Sequence, residues 1–311
     1  GILGNSLKPG IMNTAFTTNS DLHDLIPLLC SLSRVHTVYL LRQVTTSRTQ
    51  TYMGGLSIPI KPVTREVLSL LVVSHEEVAD PIHIQHSLLN KTQGRYEVFS
   101  IHLTLREANS RINWGSTFLN RVLRECKLLY REDQQLELPV SDLQHPQVYA
   151  RIATHWNTRL QRAHYFETKA VDCEDPQSNY GKYLLLQQAV QQACLGLIYV
   201  FWEYLPSCFA LPYLLHLCEH FCDLPQILYP KRSFRSHQVY TQLCHASYNL
   251  HEKTGRDTSD ADAHKAEQLT YRFIKAARQL AEEKLRELKQ RHHTPFQTST
   301  YENETHTNTA E

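Results

Sequence analysis

Apolar residues recur along residues 183–218 with two rhythms. Leu186, Ala189, Val190, Ala193, Cys194, Leu197 and Ile198 follow the three- and four-residue spacing of one helical face, with glutamines at 187–188 and 191–192 between them. From Ala193 the stripe widens over Leu197, Ile198, Tyr199, Val200, Phe201 and Trp202, which predicts a helix buried on nearly all sides. Tyr204, Pro206 and Pro212 interrupt the pattern, and a second apolar helix follows. The uninterrupted part, residues 193–202, is too short to cross about 30 Å of hydrocarbon, so a core helix is predicted rather than a membrane span.

The first half of the chain mixes element types. Residues 21–33 carry a helical pattern through Leu22, Leu25, Ile26, Leu28 and Leu29, with Asn19 or Ser20 as cap. Strands are predicted over residues 35–41, 50–60 and 67–74, with Met53-Gly54-Gly55 as a turn or bulge. The run 68–73 is nearly all apolar, the mark of a strand buried on both faces. A helix follows over 76–93. The strand over 95–104 sets Tyr96, Val98, Ser100, His102 and Thr104 against Glu97, Phe99, Ile101 and Leu103. A helix over 118–125 and a short strand over 128–130 complete an α/β layout.

Residues 134–147 read as a polar linker, and from about 148 to 292 the pattern is helical. Within that half, residues 254–264 read as a loop. The last helix, 266–291, turns Leu269, Phe273, Ala276, Ala277, Leu280, Leu285 and Leu288 inward. The organisation is thus a flexible segment 1–20, an α/β domain 21–133, a linker 134–147, a helical domain 148–292 and a disordered tail 293–311.

Lys+Arg of 32 against Asp+Glu of 31 leaves a net charge of +1, so the chain as a whole does not attract nucleic acid electrostatically. A local basic patch exists at Lys231, Arg232 and Arg235. Eight scattered cysteines, several inside apolar runs, predict reduced, buried thiols in a cytoplasmic protein. No secretory signal, glycine-rich phosphate loop or Gly-x-Ser-x-Gly motif is visible.

The stretch Leu186-Gln187-Gln188-Ala189-Val190-Gln191-Gln192-Ala193, then Tyr204-Leu205-Pro206-Ser207 and Leu214-Leu215-His216-Leu217-Cys218, resembles the central helices of a HEPN domain. Phe166-Glu167-Thr168-Lys169-Ala170 resembles that domain's first helix. The resemblance covers about half of the chain. It implies an all-α HEPN-type bundle, a homodimer through that bundle, and nucleotide or RNA as ligands; it identifies a fold better than an activity, because HEPN domains include both ribonucleases and inactive modules.

The elements before it resemble a small nucleotidyltransferase domain, a familiar fusion partner of HEPN domains. The expected fold class is therefore α+β, a nucleotidyltransferase-like α/β domain followed by the bundle. That family carries a Gly-Ser turn, an Asp-x-Asp pair for divalent metals and a third carboxylate, because hard cations need oxygen ligands during phosphoryl transfer. Here residues 42–47 lack Gly-Ser, Ser69 stands at an aspartate position, and Glu97 is the only acid on the third strand, with Glu66 the nearest alternative. One carboxylate does not build a two-metal site. The resemblance therefore implies a degenerate domain with no metal and no cofactor.

Active HEPN ribonucleases pair an arginine with a histidine across four to six intervening residues. The histidine moves a proton at the RNA 2′-hydroxyl and the arginine stabilises phosphate charge. Such pairs include Arg159–His164, Arg232–His237, and Arg286 with His292 or His293. With 18 histidines such matches arise by accident, and position favours Arg232–His237, beside the basic patch. The family histidine expected near Cys208-Phe209-Ala210 is absent. Tyr199, Trp202, Tyr204 and Tyr213 are the candidate lining of a nucleotide-like groove, against a plain core role. His216-x-Cys218-x-His220-x-Cys222 has metal-ligand residue types, but on one helix the His pair and the Cys pair point about 200° apart. Buried cysteines with surface histidines is the expected reading there. The functional expectation is a non-catalytic regulatory or interaction protein, with a dimeric HEPN ribonuclease as its rival.

Overall fold

The computed structural model describes residues 22–48, 63–78, 80–138, 146–173, 179–229, 233–251 and 258–293. It is an α+β protein with an N-terminal sheet and C-terminal helices. The flexible segment 1–20, the strand at 50–60, the turn at 53–55 and the tail 294–311 lie outside the described residues.

A short turn, Leu22–Asp24, leads into α1 (Leu25–Leu32) and then β1 (Val35–Arg48). β1 runs antiparallel to β2 (Val63–Ser74), which is parallel to β3 (Tyr96–Thr104), and β4 (Lys127–Arg131) lies antiparallel on the other side of β1. The sheet order is β3-β2-β1-β4. Residues 68–73 of β2 are buried throughout, as their unbroken apolar run predicts. Leu68, Leu70 and Val72 pack with Tyr96 and Val98 under α1 and α2 (Pro81–Lys91). Leu71 and Val73 face the other way, with Tyr39, Ile101 and Leu103.

α2 begins at Pro81, five residues later than the helical pattern from 76 suggests. Asp80 caps it by accepting from the N–H groups of Ile82 and His83, and proline fits the first helical turn. Two further helices lie on the opposite face of the sheet, α3 (Leu105–Asn113) and α4 (Thr117–Glu125). α3 is opened by a reciprocal capping box between Thr104 and Glu107.

The helical half begins with α5 (Pro146–Val171) and α6 (Asn179–Trp202). After them come α7 (Leu211–Cys218), α8 (Leu224–Leu228), α9 (Phe234–Cys244), α10 (Ala246–Asn249) and α11 (Asp260–His293). α6 is the one helix among the described residues long and apolar enough to cross a membrane, yet 72% of that window is buried, because it forms the centre of the bundle. α11 starts six residues before the expected 266.

α5 and α6 cross where Gly196 faces Trp156. A Cβ on Gly196 would stand 2.6 Å from Trp156 Cε3 and 3.2 Å from Arg159 Cβ, so only a hydrogen permits this approach. The glutamines of α6 tie down their surroundings. Gln187 Nε2 donates to Cys244 O (2.8 Å) and Gln191 Nε2 donates to Phe209 O (2.7 Å).

One apolar core runs from the sheet face through the bundle, joining Tyr39, Leu71 and Ile101 to Leu197, Leu214 and Phe273. The expected linker is partly built into it. Leu136 is 3% exposed, and Asn109 brackets it by donating to Gln135 O and accepting from Glu137 N–H.

Candidate functional site

Among the described residues, two places bring candidate polar side chains together. The first is the sheet face that meets α7. Arg42, Ser69 and Phe99 form one row across β1, β2 and β3, and Val44, Val67 and Glu97 form the next. Ser69 and Glu97 therefore share a face, as the strand alternation implies. Neither is free for a metal. Ser69 is 2% exposed and hydrogen-bonds His216 Nε2 across 2.9 Å. The imidazole stacks on Phe99 with ring centroids 3.6 Å apart, and its Nδ1 lies 3.7 Å from the Glu219 carboxylate. Arg42 donates to Glu219 O, and Glu97 is paired with Arg65 at 3.2 Å.

Serine, histidine and glutamate stand in the order of a nucleophile, base and orienting acid. Ser69 is nevertheless in mid-strand, with its backbone in the ladder and its hydroxyl under α7, so no substrate carbonyl reaches it. The arrangement locks α7 onto the sheet.

The neighbouring His220 is also buried, edge-on to Trp202 at 5.2 Å, and its Nε2 has no hydrogen-bond partner. Burial, and then the nearby His216, Arg42 and Arg121, push its pKa well below the usual imidazole value. The expected surface histidines of the His216–Cys222 stretch are thus interface residues, because α7 turns His216 toward the sheet and the turn after it sets His220 against Trp202. Cys218 reaches toward Cys194 O and Cys222 toward Cys218 O. Among the described residues, no three His, Cys, Asp or Glu side chains are grouped to hold a metal ion.

Of the arginine–histidine pairs of Arg159, Arg232 and Arg286, only Arg159–His164 has both side chains within the described residues. Arg232 lies outside the described residues. His237 is exposed in α9, beside Thr241, while Arg235 is tied to Asp262 on α11 at 2.7 Å. On α5, Arg159 and His164 are five residues apart, so they point about 140° from each other. Arg159 is not on a freely solvated face: it donates to Gln192 Oε1 (2.9 Å) and to His155 Nε2 (3.4 Å), while His164 pairs with Glu167.

Of the four aromatic candidates, three are packing residues. Trp202 stacks on Phe118, Tyr213 donates its hydroxyl to Ser100 O, and Tyr204 is 3% exposed beside it. Their positions cover the outer edge of β3 and the α4 contact, so they line no groove. Tyr199 differs. Its ring packs on His155 at 4.1 Å and forms the floor of an open groove beside α5.

That groove is the second polar place. A 580 Å³ depression is lined by Arg151, Thr154, His155, Thr158, Arg159, Arg162 and Tyr199, and a 510 Å³ depression continues it past Gln161, Tyr165, Phe166 and Gln192. Burial and the adjacent Arg159 and Arg162 hold His155 down to about 4, so it is neutral and accepts from Arg159.

At the groove's end Arg151 lies 3.8 Å from the carboxylate of Glu203. Glu203 follows α6 with φ of 52°, a left-handed backbone conformation that non-glycine residues rarely adopt. Burial raises the Glu203 pKa, while Arg151, the Thr117 N–H and Arg111 oppose the rise. Its carbonyl accepts from Arg111 (2.8 Å), so this residue joins the groove to α3 and α4. No model of a known protein family matches the chain, and no curated protein matches it either.

Proposed function

We propose that this is a non-catalytic regulatory and binding protein of the cytoplasm. In this reading a nucleotidyltransferase-like sheet serves as a platform for a HEPN-like bundle, and the bundle forms a homodimer. The observation that carries the reading is the Ser69–His216 contact. At the position where the transferase chemistry needs a carboxylate there is a buried hydroxyl, and the space in front of it is filled by an imidazole stacked on Phe99. Glu97 alone, already paired with Arg65, supplies too little negative charge for two divalent ions.

The test is incubation of the full chain with nucleoside triphosphates and Mg²⁺ or Mn²⁺. No transfer product is expected; turnover abolished by Glu97→Gln refutes the reading. RNA incubated with the protein is expected to stay intact, and cleavage lost in His237→Ala would put the ribonuclease in its place. Sedimentation of the purified chain tests the dimer.

A further inference from the structure

α5 is the most unevenly charged long helix of the chain. Its 26 residues contain four bases, Arg151, Arg159, Arg162 and Lys169, and a single acid, Glu167. The whole protein carries a net charge of +1, so this is a local concentration. Three of the four bases line the α5 groove, and no carboxylate lines it.

The three arginines are not equivalent. Arg159 is held in place by Gln192 and His155. Arg151 reaches the Glu203 carboxylate only loosely, at 3.8 Å, and is more than half exposed. Arg162 is exposed and flanked at helical spacing by Thr158, Arg159, Tyr165 and Phe166, so no acid stands beside it on its helix. Tyr165 is 61% exposed and stands at the far end of the groove, its ring edge-on to Phe166. Such an exposed planar ring one turn from the Arg162 guanidinium is a stacking platform next to a phosphate-binding group.

Length sets the size of the occupant. Fourteen residues of helix separate Arg151 from Tyr165, which is about 21 Å at 1.5 Å per residue. One mononucleotide does not bridge that distance. A duplex would keep its bases stacked internally and leave Tyr165 unused. We propose that the α5 groove binds single-stranded nucleic acid, with Arg151 and Arg162 on separate, non-adjacent phosphates of one strand and an unstacked base on Tyr165. This rests on the reading of the chain as a binding protein and adds the site and its ligand chemistry.

The test is fluorescence anisotropy of a labelled 12-nucleotide oligouridylate with the full-length protein over a range of salt. Binding should weaken with salt at a log–log slope of about −1.4 to −2.1, from two or three neutralised phosphates. Arg162→Ala should make that slope shallower by about 0.7 and weaken binding roughly five-fold at 0.1 M salt. Tyr165→Ala should weaken binding roughly 5- to 150-fold and leave the slope unchanged, since stacking releases no counterions. Lys169→Ala, outside the groove and paired with Asp172, is the control and should change neither.

An oligothymidylate of the same length separates RNA from DNA; tighter binding of either names the source, and equal binding means that backbone and bases are read without the 2′-hydroxyl. Absence of binding at low salt, or binding indifferent to both Arg162→Ala and Tyr165→Ala, overturns the proposal. So does equal binding of an acidic peptide with no dependence on Tyr165. Cleavage of the bound RNA would refute the non-catalytic reading while leaving the groove assignment standing.

Discussion

Replacing Gly196 by alanine puts a methyl group where α5 already stands. The new Cβ would lie 2.6 and 2.8 Å from Cε3 and Cζ3 of Trp156 and 3.2 Å from Arg159 Cβ. Carbon atoms at rest are about 3.5–4.0 Å apart, so the helices must separate by about 1 Å or the indole must turn. Trp156 is 1% exposed and wedged in the core, which leaves it nowhere to turn. Overpacking of this kind costs about 1–3 kcal/mol, and the contact is with a rigid ring, which favours the upper part of that range. Alanine recovers about 1 kcal/mol of helix propensity. The expected net loss is about 1–2 kcal/mol, or roughly 2–8 °C in Tm.

Gly181 is the control in the same helix. Nothing lies within 4 Å of its added Cβ, so Gly181→Ala should be neutral or stabilising by up to about 1 kcal/mol. Urea unfolding of the two variants beside the wild type compares them directly. Gly196→Ala as stable as Gly181→Ala would refute the view that a missing Cβ sets the α5–α6 distance. Gln192 lies one turn before Gly196, so separation of the helices should also lengthen its bond to Arg159 and loosen the groove.

Other perturbations follow from the contacts around the sheet. His216→Ala removes a ring stacked on Phe99 and leaves the Ser69 hydroxyl buried without its partner, so chemical denaturation should show a loss of about 2–4 kcal/mol; a change below about 0.5 kcal/mol would mean α7 is not locked there. Burial holds His102 down to about 4 and drives His220 well below its ordinary value, against 6.5 unperturbed. The unfolded chain therefore binds more protons between those values. Stability should be full above pH 6.5 and fall as pH drops toward 4, by at most about 1.4 kcal/mol per pH unit for each group. His102→Gln should flatten that slope in thermal melts, and an unchanged slope would remove His102 from the account. At Glu203 the backbone has φ of 52°, so Glu203→Gly should be more stable than Glu203→Ala by about 1 kcal/mol, since both lose the carboxylate and only alanine keeps the strain; equal melting would show the strain is not there.

The parts of this fold that one residue's neighbours decide are visible in the chain. The unbroken apolar run at 68–73 marks a strand covered on both faces, and the widening stripe after Ala193 marks the core helix. α3 was within reach too, because Thr104 and Glu107 have capping-box spacing, but a nine-residue helix with few apolar positions gives a faint periodicity. What sequence reasoning misses depends on distant partners. Ser69 and His216 are 147 positions apart, and nothing near either one announces the other. The histidines at 216 and 220 look like surface residues; α7 carries His216 against Phe99 of the sheet, and the turn after α7 sets His220 against Trp202. The excess of arginine on α5 is legible, but its groove needs Gln192 and Tyr199 from α6 as the second wall.

In the proposed reading, a metal-free sheet face and the interface with α7 go together. A carboxylate at Ser69 would be buried and would repel Glu97 two residues along the same face, unless a divalent cation sat between them. A cation needs space and water in front of the sheet. A serine there needs only one hydrogen-bond partner, and an imidazole arriving from α7 supplies it while its ring covers Phe99. With the hydroxyl in place, the sheet face tolerates dry packing, and the apolar core continues from Leu71 and Ile101 into the bundle without interruption. The bundle in turn keeps its polar side for α5, where Arg151 and Arg162 face solvent along the groove. Binding chemistry in this reading sits on the outer helix, and Glu203, which touches Arg151 on one side and receives Arg111 on the other, ties the groove to α3.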